Sequence, residues 1–308
     1  MKKQVEHFDA NESMFLQRQL DYIKQETYDI KYAELKARKL IPVSSEADPG
    51  AENIFYRQYD QSGIAKIIAN YGDDLPNADV KGSEYSAAVK TIGAAYQYNI
   101  QEMRAAIYGN VPLEQRRANA ARRAIAQKEN KIAFFGDSQT GLVGLFTAPN
   151  VTSVTIPATG TGSSTQWVNK TPDQILYDLN LVANTVVSVS LGVENPDTIL
   201  LPLAQYNYIA STARSQYSDK TILNYFLENN PYIKQVEWVN ELATAGVSSA
   251  SRMYAYRRSP EVLTLEIPSD FEQLEMQHRN LVYTVPCIER CAGVLVYYPL
   301  AIAYGDGI

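Results

Sequence analysis

Glu129-Asn130-Lys131-Ile132-Ala133-Phe134-Phe135-Gly136-Asp137, followed by Gly141-Leu142-Val143-Gly144-Leu145-Phe146-Thr147-Ala148-Pro149-Asn150-Val151, is the stretch that decides how this chain is read. Upstream of it the spacing predicts a long helix ending near Asn130. Asn110 is its candidate cap, and Pro112 sits in the first turn, where a missing N–H is tolerated. Ala118, Ala121 and Ile125 give this helix a narrow face of small side chains that lets another backbone approach closely. Lys131-Ile132-Ala133-Phe134-Phe135 then reads as a short apolar strand that stops at Gly136-Asp137.

The same block offers an enzymatic reading. An apolar strand leading into Gly136-Asp137-Ser138 is similar to the nucleophile block of Gly-Asp-Ser lipases and esterases. Ser138 would then need a histidine base and donors for the oxyanion. That family places the block near the N-terminus and an Asp-x-x-His near the C-terminus. Here 135 residues precede it, and the distal histidine stands in Glu275-Met276-Gln277-His278. No Gly-x-Asn-Asp block lies between, so a hydrolase using Ser138 is the distant alternative. No catalytic, cofactor or metal residue is assigned. Cys287-Ile288-Glu289-Arg290-Cys291 has two soft ligands where tetrahedral zinc needs four, or three and a water. Gly160-Thr161-Gly162-Ser163-Ser164 lacks the Lys-Ser/Thr of a phosphate loop and reads as a flexible loop.

Working outward, residues 171–268 alternate helix and strand. Thr171-Pro172-Asp173-Gln174 combines a capping box with a first-turn proline, and Ile175, Leu176, Leu179, Val182, Ala183 and Val186 continue it at helical spacing. Thr198–Leu201 reads as a buried strand, Ser218 as the cap of a helix ending at Asn230-Pro231, and 232–239, 253–257 and 262–267 as further strands. Segments 281–285 and 294–298 supply two more. Toward the N-terminus, Asn99 caps a helix with Ile100, Met103 and Ile107 on one face. Residues 53–59, continued after Gly63 by 64–68, and residues 85–98 form two extended runs around the turn-rich Asn70–Asn77, which reads as a long hairpin polar on both strands. Residues 1–50, with helical stretches at 12–24 and 28–39 broken at Pro42 and Asp48-Pro49-Gly50, read as an arm without its own core.

The 308 residues suit one large or two modest domains. A hydrophobic share of 45% allows a real core, and a net charge of −6 argues against a dedicated nucleic-acid binder. One local excess exists. From Gln101 to Lys131 seven basic residues, among them Arg116, Arg117, Arg122, Arg123 and Lys128, face three acidic ones. They fall on two helix faces and form no single stripe. Two cysteines make no disulfide framework, and the polar N-terminus with no run near ~20 apolar residues indicates no signal peptide and no membrane span. A reducing cytoplasm is the expected folding compartment.

The order of parts is itself a motif. A helical arm, a long polar hairpin, an Ala-rich helix, then Gly-Asp, Gly141-Leu142-Val143-Gly144-Leu145 and Pro149-Asn150-Val151 resemble the tailed-bacteriophage major capsid protein, the Hong Kong phage type fold shared with encapsulins. The resemblance implies an α+β chain with an N-terminal arm at 1–50 and an extended loop, the E-loop hairpin, at 51–100. It implies a peripheral domain with the spine helix at 101–170 and 269–308, and an axial domain at 171–268. It implies a non-enzymatic subunit that assembles through hexamers and pentamers into an icosahedral head around double-stranded DNA, with an encapsulin-like compartment as the alternative. Arg57, Tyr59, Lys66, Tyr71, Asp73, Asp74, Lys81 and Tyr85 become inter-subunit candidates, and the five helix cations candidates for the DNA-facing side. Scaffolding, portal and decoration proteins are the implied further partners. The virion, assembled in the host bacterial cytoplasm, is the implied location.

Overall fold

The computed structural model describes residues 32–62, 79–109, 113–217 and 219–308. The chain divides into Met1–Glu34 and a body from Leu35 to Ile308. The described part mixes helix and sheet, as expected of an α+β chain.

The long helix, α3, runs Leu113–Phe135, after α1 (Ala37–Leu40) and α2 (Ile100–Tyr108). It absorbs the strand expected at 131–135. Ile132, Ala133 and Phe134 are buried, and a short apolar run is compatible with strand or buried helix alike. Gly136 ends the helix in a left-handed conformation at φ 69°. The chain then folds back so tightly that a Cβ on Gly144 would stand 2.6 Å from the carbonyl of Phe134. Gly144 is thus a steric requirement for seating Leu145 and Phe146 under the helix, with Phe146 stacked on Phe134 at 5.1 Å.

Strand β4 (Lys90–Asn99) pairs along its whole length with β12 (Val282–Cys291), antiparallel, and α3 packs across both. Along β12, Val285, Cys287, Glu289 and Cys291 alternate into the interior. Strand β10 (Ser269–Gln273) and β11 (Gln277–Arg279) flank it. A second, small sheet joins β1 (Val43–Ser44), β9 (Leu263–Glu266) and β13 (Gly293–Val296). The end of the arm segment therefore belongs to the body, with Leu40 and Ile41 fully buried.

The third sheet orders β5 (Thr152–Val154), β14 (Ile302–Asp306), β8 (Arg252–Tyr256), β6 (Thr198–Leu201) and β7 (Gln235–Trp238). Its central strands β8 and β6 are buried on both faces. Ile199, Leu201, Met253, Ala255 and Ala303 meet a core shared with α4 (Pro172–Val189), α5 (Leu203–Ser211) and α6 (Ile222–Asn229). Leu200, Tyr254, Tyr256 and Ile302, one residue out of phase, face the core that holds α3. Two-sided burial is why these strands read as continuous apolar runs without alternation. Two of the strands, β5 and β14, come from segments on either side of 171–268.

Capping follows the sequence at two of the expected sites. Asn99 and Glu102 form a capping box on α2, and Thr171 and Gln174 one on α4 behind Pro172. The cap of α6 is Thr221; Ser218, Asn110, Pro112 and the helical stretch at 12–24 lie outside the described residues. Helix α5 lacks a side-chain cap and a strong apolar stripe, which is why the sequence reading passes over it. The Gly160 loop is a tight turn, closed by Gly160 N–H donating to the Ser164 carbonyl and Thr161 N–H to that of Asn169.

Candidate assembly surfaces

Strands β2 (Asn53–Ser62) and β3 (Asp79–Ala88) pair from Asn53↔Ala88 out to Ser62↔Asp79. The expected second strand, 85–98, is really two. The break falls at Val89, which is buried, so that 90–99 enters the β12 sheet while 79–88 stays with the hairpin. The register separates two faces of the ribbon. Asn53, Phe55, Arg57, Tyr59 and Gln61 share one with Ser86, Glu84, Gly82 and Val80. Phe55, Tyr59 and Val80 there are each more than half exposed (62%, 65% and 57%), and Arg57 pairs with Glu84 at 2.9 Å. On the other face Tyr56 stacks on Tyr85 at 5.1 Å and meets Tyr297 edge-on at 5.0 Å. Lys81 stands opposite Asp60 there. Below these tyrosines a cleft of about 270 Å³ separates the hairpin root from Gly141, Val143, Val294 and Tyr297.

Of the residues expected on this surface, Arg57, Tyr59, Lys81 and Tyr85 are on the hairpin, and all four are exposed. Lys66, Tyr71, Asp73 and Asp74 lie outside the described residues. The sequence reading misses Phe55 and Val80, whose shared phase with Tyr59 is visible only once the strand register is fixed. It also misses a second apolar surface, made by Val189, Leu191 and Val193 after α4 together with Tyr298 and Leu300. A groove of about 780 Å³ runs along it, with Glu194 and Glu261 at its edge.

The five cations of α3 have different fates. Arg117 is bound to the Gln97 carbonyl and to Glu102 at 3.0 Å. Lys128 pairs with Asp137 at 3.0 Å, and Arg122 lies over the Phe271 ring at 5.6 Å. Arg123 is half-buried, whereas Arg116 is exposed and has no ion-pair partner among the described residues.

Asp137, held by Lys128 and by the Gln139 N–H, has its carboxyl lowered below the usual range. It closes a turn with Leu142 through two backbone hydrogen bonds. Ser138 is an exposed position of that turn, while His278 packs on Tyr283 of β12 at 4.8 Å. Gly-Asp-Ser is therefore a turn motif. Among the described residues no cluster of His, Cys, Asp and Glu could hold a metal, and no helix is long and apolar enough to cross a membrane. Cys287 and Cys291 are buried free thiols.

The sequence matches the major capsid protein family over residues 63–308. The chain belongs to that family. Membership makes it a structural protein of the virion shell and not an enzyme. No curated protein matches it in sequence. In fold it is similar to the capsid of Myoviridae phage XM1, with TM-score 0.84 at 18% identity, covering 96% of this chain and 100% of that one. It is also similar to a chain of Mycobacterium phage Ogopogo, TM-score 0.64 at 11% identity, covering 94% and 97%. A virus-like particle from Pyrococcus furiosus shares the fold at TM-score 0.55 and 14% identity, covering 86% and 90%. The expected capsid fold is thus the observed one.

Proposed function

We propose that this major capsid protein assembles through hexamers and pentamers into an icosahedral phage head that encloses double-stranded DNA, formed in the bacterial cytoplasm. The observation that carries the reading is the hairpin. Its strands are each roughly 33 Å long at ~3.3 Å per residue, and Phe55, Tyr59 and Val80 share a face that the body leaves exposed. An isolated two-stranded ribbon is marginal in water. A neighbouring subunit supplies the missing burial, and head-to-tail contacts of this kind close into rings. Stable interfaces bury ~1,200–2,000 Å², which an extended ribbon provides more readily than a compact surface.

In this reading residues 1–50 are the N-terminal arm and the hairpin is the extended loop. Residues 101–170 and 269–308 form the peripheral domain, and 171–268 the axial domain, whose sheet also takes in β5 and β14. Arg57, Tyr59, Lys66, Tyr71, Asp73, Asp74, Lys81 and Tyr85 lie toward neighbours. Scaffolding, portal and decoration proteins are the further partners. DNA contact is weak and non-specific, in keeping with the net charge of −6, and of the five candidate cations Arg116 is the most available for it.

The test is electron microscopy and sedimentation of the full chain beside a Phe55→Ser/Tyr59→Ser variant. The reading expects closed particles or ring-shaped capsomers from the first, and a folded monomer from the second. A wild-type chain that stays monomeric at high concentration, alone and with a scaffold, overturns it. Similarity to the Pyrococcus furiosus particle supports one alternative, a compartment shell. Protein cargo instead of DNA in particles isolated from an infected host would favour it.

A further inference from the structure

Two carboxylates occupy positions that their elements reserve for apolar side chains. Along α3 the buried stripe runs Ala121, Ile125, Glu129, Ile132, and along β12 it runs Val285, Cys287, Glu289, Cys291. Glu129 and Glu289 are only 3% and 1% exposed. Buried charges of one sign in contact are unfavourable unless a cation or a proton intervenes.

The cation present is insufficient for both. Arg38 of α1 donates through Nε and Nη2 to the two oxygens of Glu129, at 2.7 and 2.9 Å. The same Nη2 reaches Asp270 of β10 at 2.8 Å. Its separation from Glu289 Oε1 is 3.5 Å, and that oxygen is buried with no hydrogen-bond partner. The remaining groups around the pair supply no further positive charge to Glu289. Cys291 on its own strand is a thiol pushed up to about 12 by burial, Ile92 stands opposite on β4, and Arg122 of α3 acts on Asp270.

We propose that Glu129, Glu289 and Arg38 form a proton-loaded latch that fastens the end of the N-terminal arm to the spine helix and to β12. When closed, Glu289 holds a proton and Arg38 is engaged by Glu129. Loss of the proton leaves two buried anions competing for one guanidinium, and the contact between α1 and the body loosens. Three elements meet there, so the consequence is not local to one side chain. Ala37 N–H donates to Asn130 Oδ1, next to Glu129, at 3.1 Å, and Leu40 and Ile41 behind it are fully buried.

Burial, first, and then the charge of Glu129 raise Glu289 from 4.5 to about 8. The folded state therefore binds this proton more tightly than the unfolded chain does. Its stabilising contribution is complete below about 4.5, declines as pH rises, and is gone above about 8. The latch is closed in acid and open in alkali.

The experiment is hydrogen exchange of the full chain at the Leu40 and Ile41 amides, which bond to the Lys36 and Ala37 carbonyls. After correction for intrinsic exchange, their protection should fall roughly tenfold or more from mildly acidic to mildly alkaline pH. Glu289→Gln keeps the shape and removes the titration, so its protection should be independent of pH. Equal pH slopes in the two proteins overturn the proposal. Should Glu289→Gln fail to fold, infrared titration of the wild type decides. A protonated-carboxyl band present at neutral pH and lost with a midpoint near 8 supports the latch; no such band at neutral pH overturns it.

Discussion

Lys170 Nζ lies 2.6 Å from Asp178 Oδ2, and neither side chain is accessible to solvent. Lys170 stands just before α4 and Asp178 inside it, so the pair ties the incoming loop to the first turns of that helix. Lys170 also donates to the Pro157 carbonyl at 2.8 Å, and Trp167 Nε1 donates to the same carboxylate oxygen at 3.1 Å. Breaking such a pair on one side strands a charge, which costs ~3–5 kcal/mol. Lys170→Met should therefore lose about that much stability. The double variant Lys170→Met/Asp178→Leu should lose less than Lys170→Met alone. Denaturant midpoints of the three proteins measure both, and a double variant less stable than Lys170→Met would contradict the account.

The two glycines of Gly141-Leu142-Val143-Gly144 should respond in opposite ways. Gly141 has φ 75° with open space around its Cα, so Gly141→Ala should cost only the left-handed penalty of ~1–2 kcal/mol. Gly144 faces the Phe134 backbone, where a methyl has no room. Gly144→Ala should abolish soluble, folded expression. Comparable thermal midpoints for the two variants would show that the fold-back after α3 is looser than described.

At the hairpin root, Tyr56 joins Tyr85 to Tyr297, and each aromatic contact contributes ~0.5–1.5 kcal/mol beyond burial. Tyr56→Ala should release β2 and β3 while leaving the body intact. Amide exchange should quicken at 53–62 and 79–88 and stay unchanged in β12. Equal acceleration in β12 would mean that the hairpin is a structural part of the body.

Arg117 and Arg116 are adjacent in sequence and unlike in structure. Arg117→Gln should weaken the junction of β4, α2 and α3 and lower the thermal midpoint, because charged hydrogen bonds to Gln97 and Glu102 are lost. Arg116→Gln should leave stability within ~0.5 kcal/mol and, in the reading proposed above, reduce DNA retention. Thermal denaturation separates the two, and a destabilised Arg116→Gln protein would place that side chain in an internal contact.

What the sequence determined by itself was local. Asn99 with Glu102, and Thr171 with Pro172 and Gln174, set two helix starts because a capping box needs only residues three apart. The 3.6-residue period of α4 and the order of hairpin, long helix and Gly-rich fold-back were legible for the same reason, and the order of parts was enough to point to the capsid family. Only the tertiary structure decided whether Ile132-Ala133-Phe134-Phe135 is helix or strand. Four consecutive apolar residues satisfy either, and the choice is made by the core under Phe146. It also decided where the hairpin ends, since Val89 is buried by elements far away in the chain. The phase of Phe55, Tyr59 and Val80 depended on a register that joins residues of two separate strands. Glu129 and Glu289 each fall in phase with an apolar stripe, a signal present in the sequence. Their meeting, 160 residues apart, with Arg38 between them, exists only because α1, α3 and β12 pack together.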